Sequence, residues 1–107
     1  MTIRLLGALL AVVLLPVHRS SQPDASKWKL VWSDEFNAAD GTAPDPAKWG
    51  FDLGGGGWGN KELESYTSRP VNVQQKGGNL VITALKEDYT GKDGVARPYT
   101  SARISIR

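Results

Sequence analysis

The sequence has 107 residues, a formal net charge of +2 and no cysteine. This length allows one small domain at most, and the absence of cysteine excludes disulfides and metal sites built on thiolates. The single histidine, His18, lies near the N-terminus. Ser-His catalysis and histidine-metal chemistry are therefore excluded for the rest of this sequence.

The first residues have the pattern of a secretory leader. Arg4 precedes an apolar run over residues 5–17, which is shorter than the roughly 20 residues that a transmembrane helix needs. We predict a signal peptide over residues 1–22, a linker over residues 23–27, and a secreted or periplasmic protein. Removal of Arg4 and Arg19 leaves eleven basic and eleven acidic residues. Because a nucleic-acid or membrane partner would require a basic face, neither is expected.

The remainder of the chain predicts strands and loops, beginning with an aromatic strand. Trp28, Leu30, Trp32 and Phe36 share one parity, and this period-2 pattern is typical of a strand with one buried face. A loop rich in proline follows, and residues 46–49 could form one helical turn.

A β-hairpin is predicted over residues 71–85, where two apolar strands flank the pair Gly77-Gly78. The second strand, residues 80–85, is apolar on both faces, so we expect cover on both sides, as in a sandwich. Residues 88–98 are predicted to be a polar connection to a last strand over residues 101–107. Since no helix of useful length is predicted after the leader, the fold class is all-β.

The segment from Trp58 to Thr67 is the part of the sequence that best suits ligand binding. Four consecutive glycines, Gly54 to Gly57, precede it and permit sharp turns and close approach of the backbone to another molecule. An indole, a carboxamide, two carboxylates and a phenol follow within nine residues, and such groups suit a polyhydroxylated ligand such as a sugar chain. The alternative is a surface loop that leads into an ordinary strand.

Three charged side chains have two interpretations each. Glu62 and Glu64 lie two apart, so on a strand they would share a face at roughly 7 Å, a separation compatible with the paired carboxylates of a glycosidase. Their alternative is one solvated and one structural carboxylate. Arg103 extends from the polar face of the last strand, where its planar fork could hold sugar hydroxyls or a carboxylate, or could remain a surface cation.

Four motifs together identify a family. They are Trp32-Ser-Asp-Glu-Phe-Asn37, Trp58-Gly-Asn-Lys-Glu-Leu-Glu-Ser-Tyr-Thr67, Asn79-Leu-Val-Ile-Thr-Ala84 and Tyr99-Thr-Ser-Ala-Arg-Ile104. In order and spacing, residues 28–107 resemble the N-terminal part of the laminarinase-like members of glycoside hydrolase family 16. The resemblance implies a β-jelly-roll sandwich of the concanavalin A type, whose concave sheet binds β-glucan. It also implies endo-hydrolysis of β-1,3 links with retention of configuration.

The resemblance assigns binding residues but no catalytic residue to this chain. The family's Glu-x-Asp-x-x-Glu strand, which carries the two catalytic carboxylates, is absent. Asn60 and Arg103 match glucan contacts at the non-reducing side of the cleft, and Trp58, Glu62 and Tyr66 match positions that shape or line it. Glu64 stands where the family more often has Gln, which leaves that position without an assigned role.

The resemblance also implies a structural Ca²⁺ site, although the chemistry of hydrolysis requires no cofactor. Backbone carbonyls near Glu35 and Gly78 would contribute to that site, together with an Asp from a later strand that this sequence does not contain. The site would therefore be incomplete here. A complete protein of this kind is expected to be a monomer.

Three functions remain open at this point. Because residues 101–107 end within a strand pattern, we expect the front part of a longer secreted endo-β-1,3-glucanase, inactive as it stands. A carbohydrate-binding relative without catalysis is the second hypothesis, and a structural β-domain without a ligand is the third.

Overall fold

The computed structural model describes residues 11–18, 21 and 24–107. Much of the predicted signal peptide, and residue 23 of the linker, lie outside the described residues. The chain divides into two units, Met1–Val31 and Trp32–Arg107. In the first unit a 3₁₀ turn spans Ala25–Lys27, and the Asp24 carboxylate caps it by accepting the Ser26 N–H. Within the described ranges, no helix has the length and apolar character needed to cross a membrane.

The second unit consists of seven strands and one 3₁₀ turn at Gly57–Gly59. The strands are β1 (Trp49–Asp52), β2 (Glu64–Tyr66), β3 (Val73–Lys76), β4 (Asn79–Ile82), β5 (Leu85–Thr90), β6 (Ala96–Ser101) and β7 (Arg103–Ile106). β1 pairs with β7 and β3 pairs with β4, both antiparallel. A three-stranded sheet has the order β2-β6-β5, in which β2 and β6 are parallel. The prediction of an all-β fold is confirmed.

The hairpin predicted around Gly77-Gly78 is confirmed as β3 and β4. Lys76 and Asn79 are the last paired residues, so the loop has two residues, and both glycines have positive φ angles of 59° and 77°. Two successive positive φ angles define the hairpin turn whose twist matches that of the flanking strands. The local sequence therefore determines this turn.

The prediction of a polar connection over residues 88–98 is wrong. β5 continues to Thr90 and β6 begins at Ala96, so these residues form most of a second hairpin, with an irregularity between Lys86 and Tyr89. Glu87 faces inward despite its charge, because it accepts hydrogen bonds from Thr100 and Arg69. Polar residues on the inner face conceal the alternation from which a strand is usually recognised.

The prediction of a strand over residues 28–36 is also wrong. None of these residues is paired in a strand, and Trp28 is 76 % exposed. A strand requires a neighbour for its backbone N–H and C=O groups, and the described chain supplies none here. Phe36 has a positive φ of 49°, which is incompatible with an extended strand. Of the helical turn predicted over residues 46–49, the structure has a turn over residues 46–48, closed by the bond from the Trp49 N–H to the Asp45 carbonyl (2.9 Å), and Trp49 begins β1.

Trp49 packs against two aromatic residues at the end of the segment 28–36. Its ring centroid lies 5.4 Å from that of Trp32 and 5.8 Å from that of Phe36. Its indole N–H donates to the Asp34 carboxylate at 2.8 Å, and Asp34 also accepts the Phe36 N–H at 3.0 Å. These two donors, the Phe36 N–H first, lower the pKa of Asp34. The segment is thus fixed by side chains rather than by a strand ladder.

The interior of the described chain is small and largely polar. Its buried apolar side chains are Val73, Ala102 and Pro44, whereas Asn72 and Thr100 are fully buried and polar. The Asn72 amide donates to the Thr100 hydroxyl (3.0 Å) and to the Thr83 carbonyl (3.1 Å), which joins the start of β3 to β6. Such bonds are required because an unpaired buried polar group is costly.

Two expectations about strand faces need correction. The strand predicted over residues 80–85 is expected to be covered on both sides, but in β4 the side chain of Ile82 is 46 % exposed. The single last strand over residues 101–107 is divided at the buried Ala102, which separates β6 from β7. Ile106, at the end of β7, is 61 % exposed.

Candidate functional site

The glycine-rich segment forms a compact loop between β1 and β2. Gly54 forms an antiparallel bridge with Tyr66, and the chain then turns through the 3₁₀ segment Gly57–Gly59. The Gly57 carbonyl accepts the N–H groups of Asn60 (2.9 Å) and Glu62 (3.2 Å). Trp58 adopts a left-handed φ of 51°, which is uncommon for a bulky residue and marks a constrained position. The loop therefore presents Trp58 in a defined place.

Trp58 is the centre of an aromatic and charged cluster. Its indole N–H donates to the Gly54 carbonyl at 3.2 Å, and its ring meets Tyr66 edge to face at a centroid distance of 5.8 Å. The Arg103 guanidinium carbon lies 4.7 Å from the Trp58 ring centroid, within the range of a cation–π contact. Arg103 Nε is also 3.1 Å from Asp52 Oδ2. We call Trp58, Tyr66, Arg103 and Asp52 the platform.

The sheet register explains how these four side chains meet. Asp52 and Arg103 are directly opposite each other in the β1–β7 pair. The bridge between Gly54 and Tyr66 then places β2 beside the chain that leaves β1. Asp52 is not among the residues predicted from the sequence, because nothing in the local sequence of β1 indicates that its last residue faces Arg103.

Tyr66 holds the carboxylates of Glu62 and Glu64. Its hydroxyl oxygen lies 2.8 Å from Glu62 Oε2 and 2.7 Å from Glu64 Oε1. A phenol has one hydrogen to donate, so both carboxylates compete for it. The hydrogen bond from Tyr66 lowers the pKa of Glu64, and burial followed by the bonds to the two carboxylates raises the pKa of Tyr66. A carboxylate with a lowered pKa is a poor general acid near neutral pH.

The predicted binding residues are mostly brought together. Trp58, Tyr66 and Arg103 are in contact, and Glu62 is bound to Tyr66. Asn60 is exposed at the end of the Gly57–Gly59 turn, where its position is fixed through its backbone N–H. Four of the five residues predicted from the sequence thus belong to this loop and to β2, and Arg103 comes from β7, the partner of β1.

The proposed Ca²⁺ donors lie outside the platform. The turn that contains Gly78 is bound to the loop that precedes β1. The Asp40 carboxylate in that loop accepts the Gly77 N–H at 2.8 Å. Two backbone carbonyls, at Glu35 and Gly78, are fewer than the six to eight oxygen ligands that Ca²⁺ takes. Within the described part of the chain, no group of three or more acidic or histidine side chains could hold a metal ion. The Ca²⁺ site stays a prediction.

No family model matches the sequence. Individual proteins do match it, and two of them are named as glucanases or glucosidases. The chain is 45 % identical over 104 residues to a beta-glucanase of Rhodothermus marinus, covering 96 % of this chain and 33 % of the relative. It is 42 % identical over 81 residues to a glucan endo-1,3-beta-glucosidase of Cryptopygus antarcticus (75 % and 28 % covered). It is 49 % identical over 83 residues to the clotting factor G alpha subunit of Tachypleus tridentatus (76 % and 10 % covered).

Solved structures agree with these relatives. The laminarinase from Rhodothermus marinus superposes with a TM-score of 0.62 at 52 % identity, over 72 % of this chain and 28 % of that one. A non-specific endo-beta-1,3(4)-glucanase mutant from family GH16, co-crystallised with 1,3-beta-D-cellotriosyl-glucose, superposes with a TM-score of 0.67 at 43 % identity (74 % and 31 % covered). The chain spans about a third or less of the length of these proteins.

Proposed function

Because the chain belongs to the laminarinase-like members of glycoside hydrolase family 16 and forms part of their β-jelly-roll, we propose that it supplies one side of a cleft for β-1,3-glucan. The observation that carries this proposal is the platform. An indole held by a loop, a phenol against its edge and a guanidinium over its ring combine an apolar surface with hydrogen-bond donors. Ligand sites that recognise small molecules commonly join apolar surface to a few placed polar groups.

Within this proposal the chain binds and orients the glucan but does not cleave it. Hydrolysis with retention uses two carboxylates, one that attacks the anomeric carbon and one that protonates the leaving oxygen and then activates water. The 107 residues contain no Glu-x-Asp-x-x-Glu motif. Glu62 and Glu64 both lie within hydrogen-bond distance of the Tyr66 hydroxyl and compete for its one hydrogen. This arrangement suits positioning better than proton transfer. The reacting carboxylates would come from the rest of the domain.

Calorimetric titration with laminaritetraose tests the proposal on the intact gene product, at whatever length its reading frame encodes. We expect Trp58→Ala and Arg103→Ala to weaken binding by about tenfold or more, since truncation of an anchoring side chain often costs about 2 kcal/mol. Asn60→Ala is expected to weaken binding as well. Mass spectrometry after each titration measures how much of the sugar has been cleaved, and affinities are compared only where the sugar is intact.

Trp28→Ala is the matched control, because it removes an exposed indole from outside the platform. Its affinity should equal that of the wild type. Undetectable binding by the wild type, together with no effect of Asn60→Ala or Arg103→Ala, would contradict the proposal and favour a structural β-domain.

A glucan-binding protein without catalysis is the second candidate. It is favoured by the relative that is named as a clotting factor subunit rather than as a glucosidase. The release of reducing ends from laminarin by the intact gene product separates the two functions. Binding with release supports the hydrolase, whereas binding without release supports the second candidate.

We also propose that residues 1–22 direct export, so that the mature protein is secreted or periplasmic. The support is the apolar run over residues 5–17 after Arg4. N-terminal sequencing of the protein from the culture medium or periplasm should give a start close to residue 22. A start at Met1 would contradict export by cleavage.

A further inference from the structure

Both backbone polar groups of Gly55 are bound by side chains from the β5–β6 hairpin. The Gly55 N–H donates to Asp93 Oδ2 at 2.8 Å, and the Gly55 carbonyl accepts from Arg97 Nε at 2.6 Å. The other Asp93 oxygen accepts the Val95 N–H at 3.1 Å, which fixes the carboxylate in the hairpin turn. We call Asp93 and Arg97 the clamp.

The clamp leaves no room for side chains at two of the four consecutive glycines. A Cβ at Gly55 would lie 2.8 Å from Arg97 Cγ, and a Cβ at Gly54 would lie 2.8 Å from Asp93 Oδ2. Gly54 also has a φ of 117°, which side chains rarely permit. The clamp therefore gives a second physical reason for glycine at both positions, beside the sharp turns and close backbone approach that glycine permits.

Gly54 connects the clamp to the platform. It exchanges two backbone hydrogen bonds with Tyr66, at 3.0 and 2.9 Å, and its carbonyl also accepts the Trp58 indole N–H. β2 thus holds Gly54 from one side, while the clamp holds Gly55 from the other. The peptide between these anchors sets where the Trp58 indole is docked.

We propose that Asp93 and Arg97 are positioning residues for the glucan site, which they serve by fixing Gly54 and Gly55 beneath Trp58. This role rests on the proposed function, because it assigns a purpose to the platform. Neither residue needs to contact the sugar. Both bonds involve an ionised side chain and a backbone group, a class of hydrogen bond stronger than that between neutral partners.

The charge of Asp93 is consistent with this role. The Gly55 N–H, followed by the Val95 N–H, lowers the pKa of Asp93, so the carboxylate is ionised near neutral pH. Asp88, on the exposed side of β5 in the same hairpin, supplies a matched carboxylate for comparison.

The test uses the intact gene product with the variants Asp93→Ala, Asp93→Asn and Arg97→Ala, and with Asp88→Asn as control. Hydrogen exchange of the Gly55 amide should accelerate about tenfold or more in Asp93→Ala, and affinity for laminaritetraose should fall by about threefold to tenfold. Asp93→Asn retains one acceptor and should lie between wild type and Asp93→Ala. Asp88→Asn should change neither quantity.

A double-mutant cycle separates positioning from general destabilisation. If Asp93 acts through Trp58, Asp93→Ala should weaken binding little further in a Trp58→Ala background, because residues that act as a unit are not additive. Gly55→Ala should weaken binding in the wild type but much less in an Arg97→Ala background, where the clash is removed. Fully additive effects, or unchanged Gly55 exchange in Asp93→Ala, would overturn the proposal.

The outcomes also distinguish this inference from the proposed function. Binding by the wild type with unaltered affinity in Asp93→Ala and Arg97→Ala would remove only the positioning role. Failure of the wild type to bind laminaritetraose would remove the proposed function and the positioning role with it, and Gly55 exchange would then show whether the clamp itself exists.

Discussion

Tyr66 joins two carboxylates through one hydroxyl group, and a single substitution can test this arrangement. Tyr66→Phe removes the hydrogen bond that is the largest cause of the lowered pKa of Glu64, so we expect that pKa to rise toward its ordinary value. Carboxyl carbon NMR as a function of pH measures the change. Tyr99→Phe is the control, since Tyr99 is opposite Glu64 in the β2–β6 register. An unchanged Glu64 pKa in Tyr66→Phe would contradict the assigned bond.

Glu87 provides a prediction about acid stability. Hydrogen bonds from the Thr100 hydroxyl and then from Arg69 lower its pKa in the folded state. A lowered pKa stabilises the fold above the unfolded value of about 4.3, and this contribution is lost as pH falls through the folded value below it. Urea midpoints between pH 7 and pH 3 should therefore fall less steeply in Glu87→Gln than in the wild type. Equal slopes would show that Glu87 does not contribute.

At the scale of single residues, the site could be predicted only where its members are close in the sequence. Trp58, Glu62 and Tyr66 occur within one motif, and their grouping was recognised. Asp52, Asp93 and Arg97 were missed, because their roles depend on strand register and on a hairpin that returns to the glycine loop. Neither the register nor the return of the hairpin can be recognised from a short stretch of sequence.

The turn of the β3–β4 hairpin requires positive φ angles at both of its residues, Gly77 and Gly78. Gly78→Ala places a Cβ at a φ of 77°, and we expect a loss of about 1 kcal/mol in the free energy of unfolding. Gly56→Ala is the matched control because its φ is −73° and its Cβ would meet nothing within 4 Å. Urea denaturation of the intact gene product measures both. A loss as large in Gly56→Ala would contradict the backbone explanation.

The elements differ in how well the sequence predicts them, for physical reasons. The Gly77-Gly78 turn is a local property and was predicted correctly. The sequence pattern does not predict β5 as a separate strand, because Leu85 ends the predicted strand over residues 80–85. Glu87 and Tyr89, which follow, face inward as polar residues in contact with Arg69. The pattern over residues 28–36 has the alternation of a strand, but alternation cannot supply the hydrogen-bonding neighbour that a strand needs.

The whole molecule has little apolar interior for its size. Among the described residues, the buried apolar side chains are Val73, Ala102 and Pro44, and Ile82 and Ile106 are largely exposed. Chains with so little buried apolar surface have marginal stability. We expect the 107-residue chain alone to bind the dye ANS and to unfold over a broad range at low urea. A sharp transition without dye binding would contradict this expectation.

The register that places Asp52 opposite Arg103 has a consequence for the order of synthesis. Trp58 and Tyr66 leave the ribosome about forty residues before Arg103, and β1 has no partner until β7 has been made. A nascent chain therefore carries the aromatic half of the platform without its cation. Affinity for glucan should therefore arise only after β7 has been made and has paired with β1.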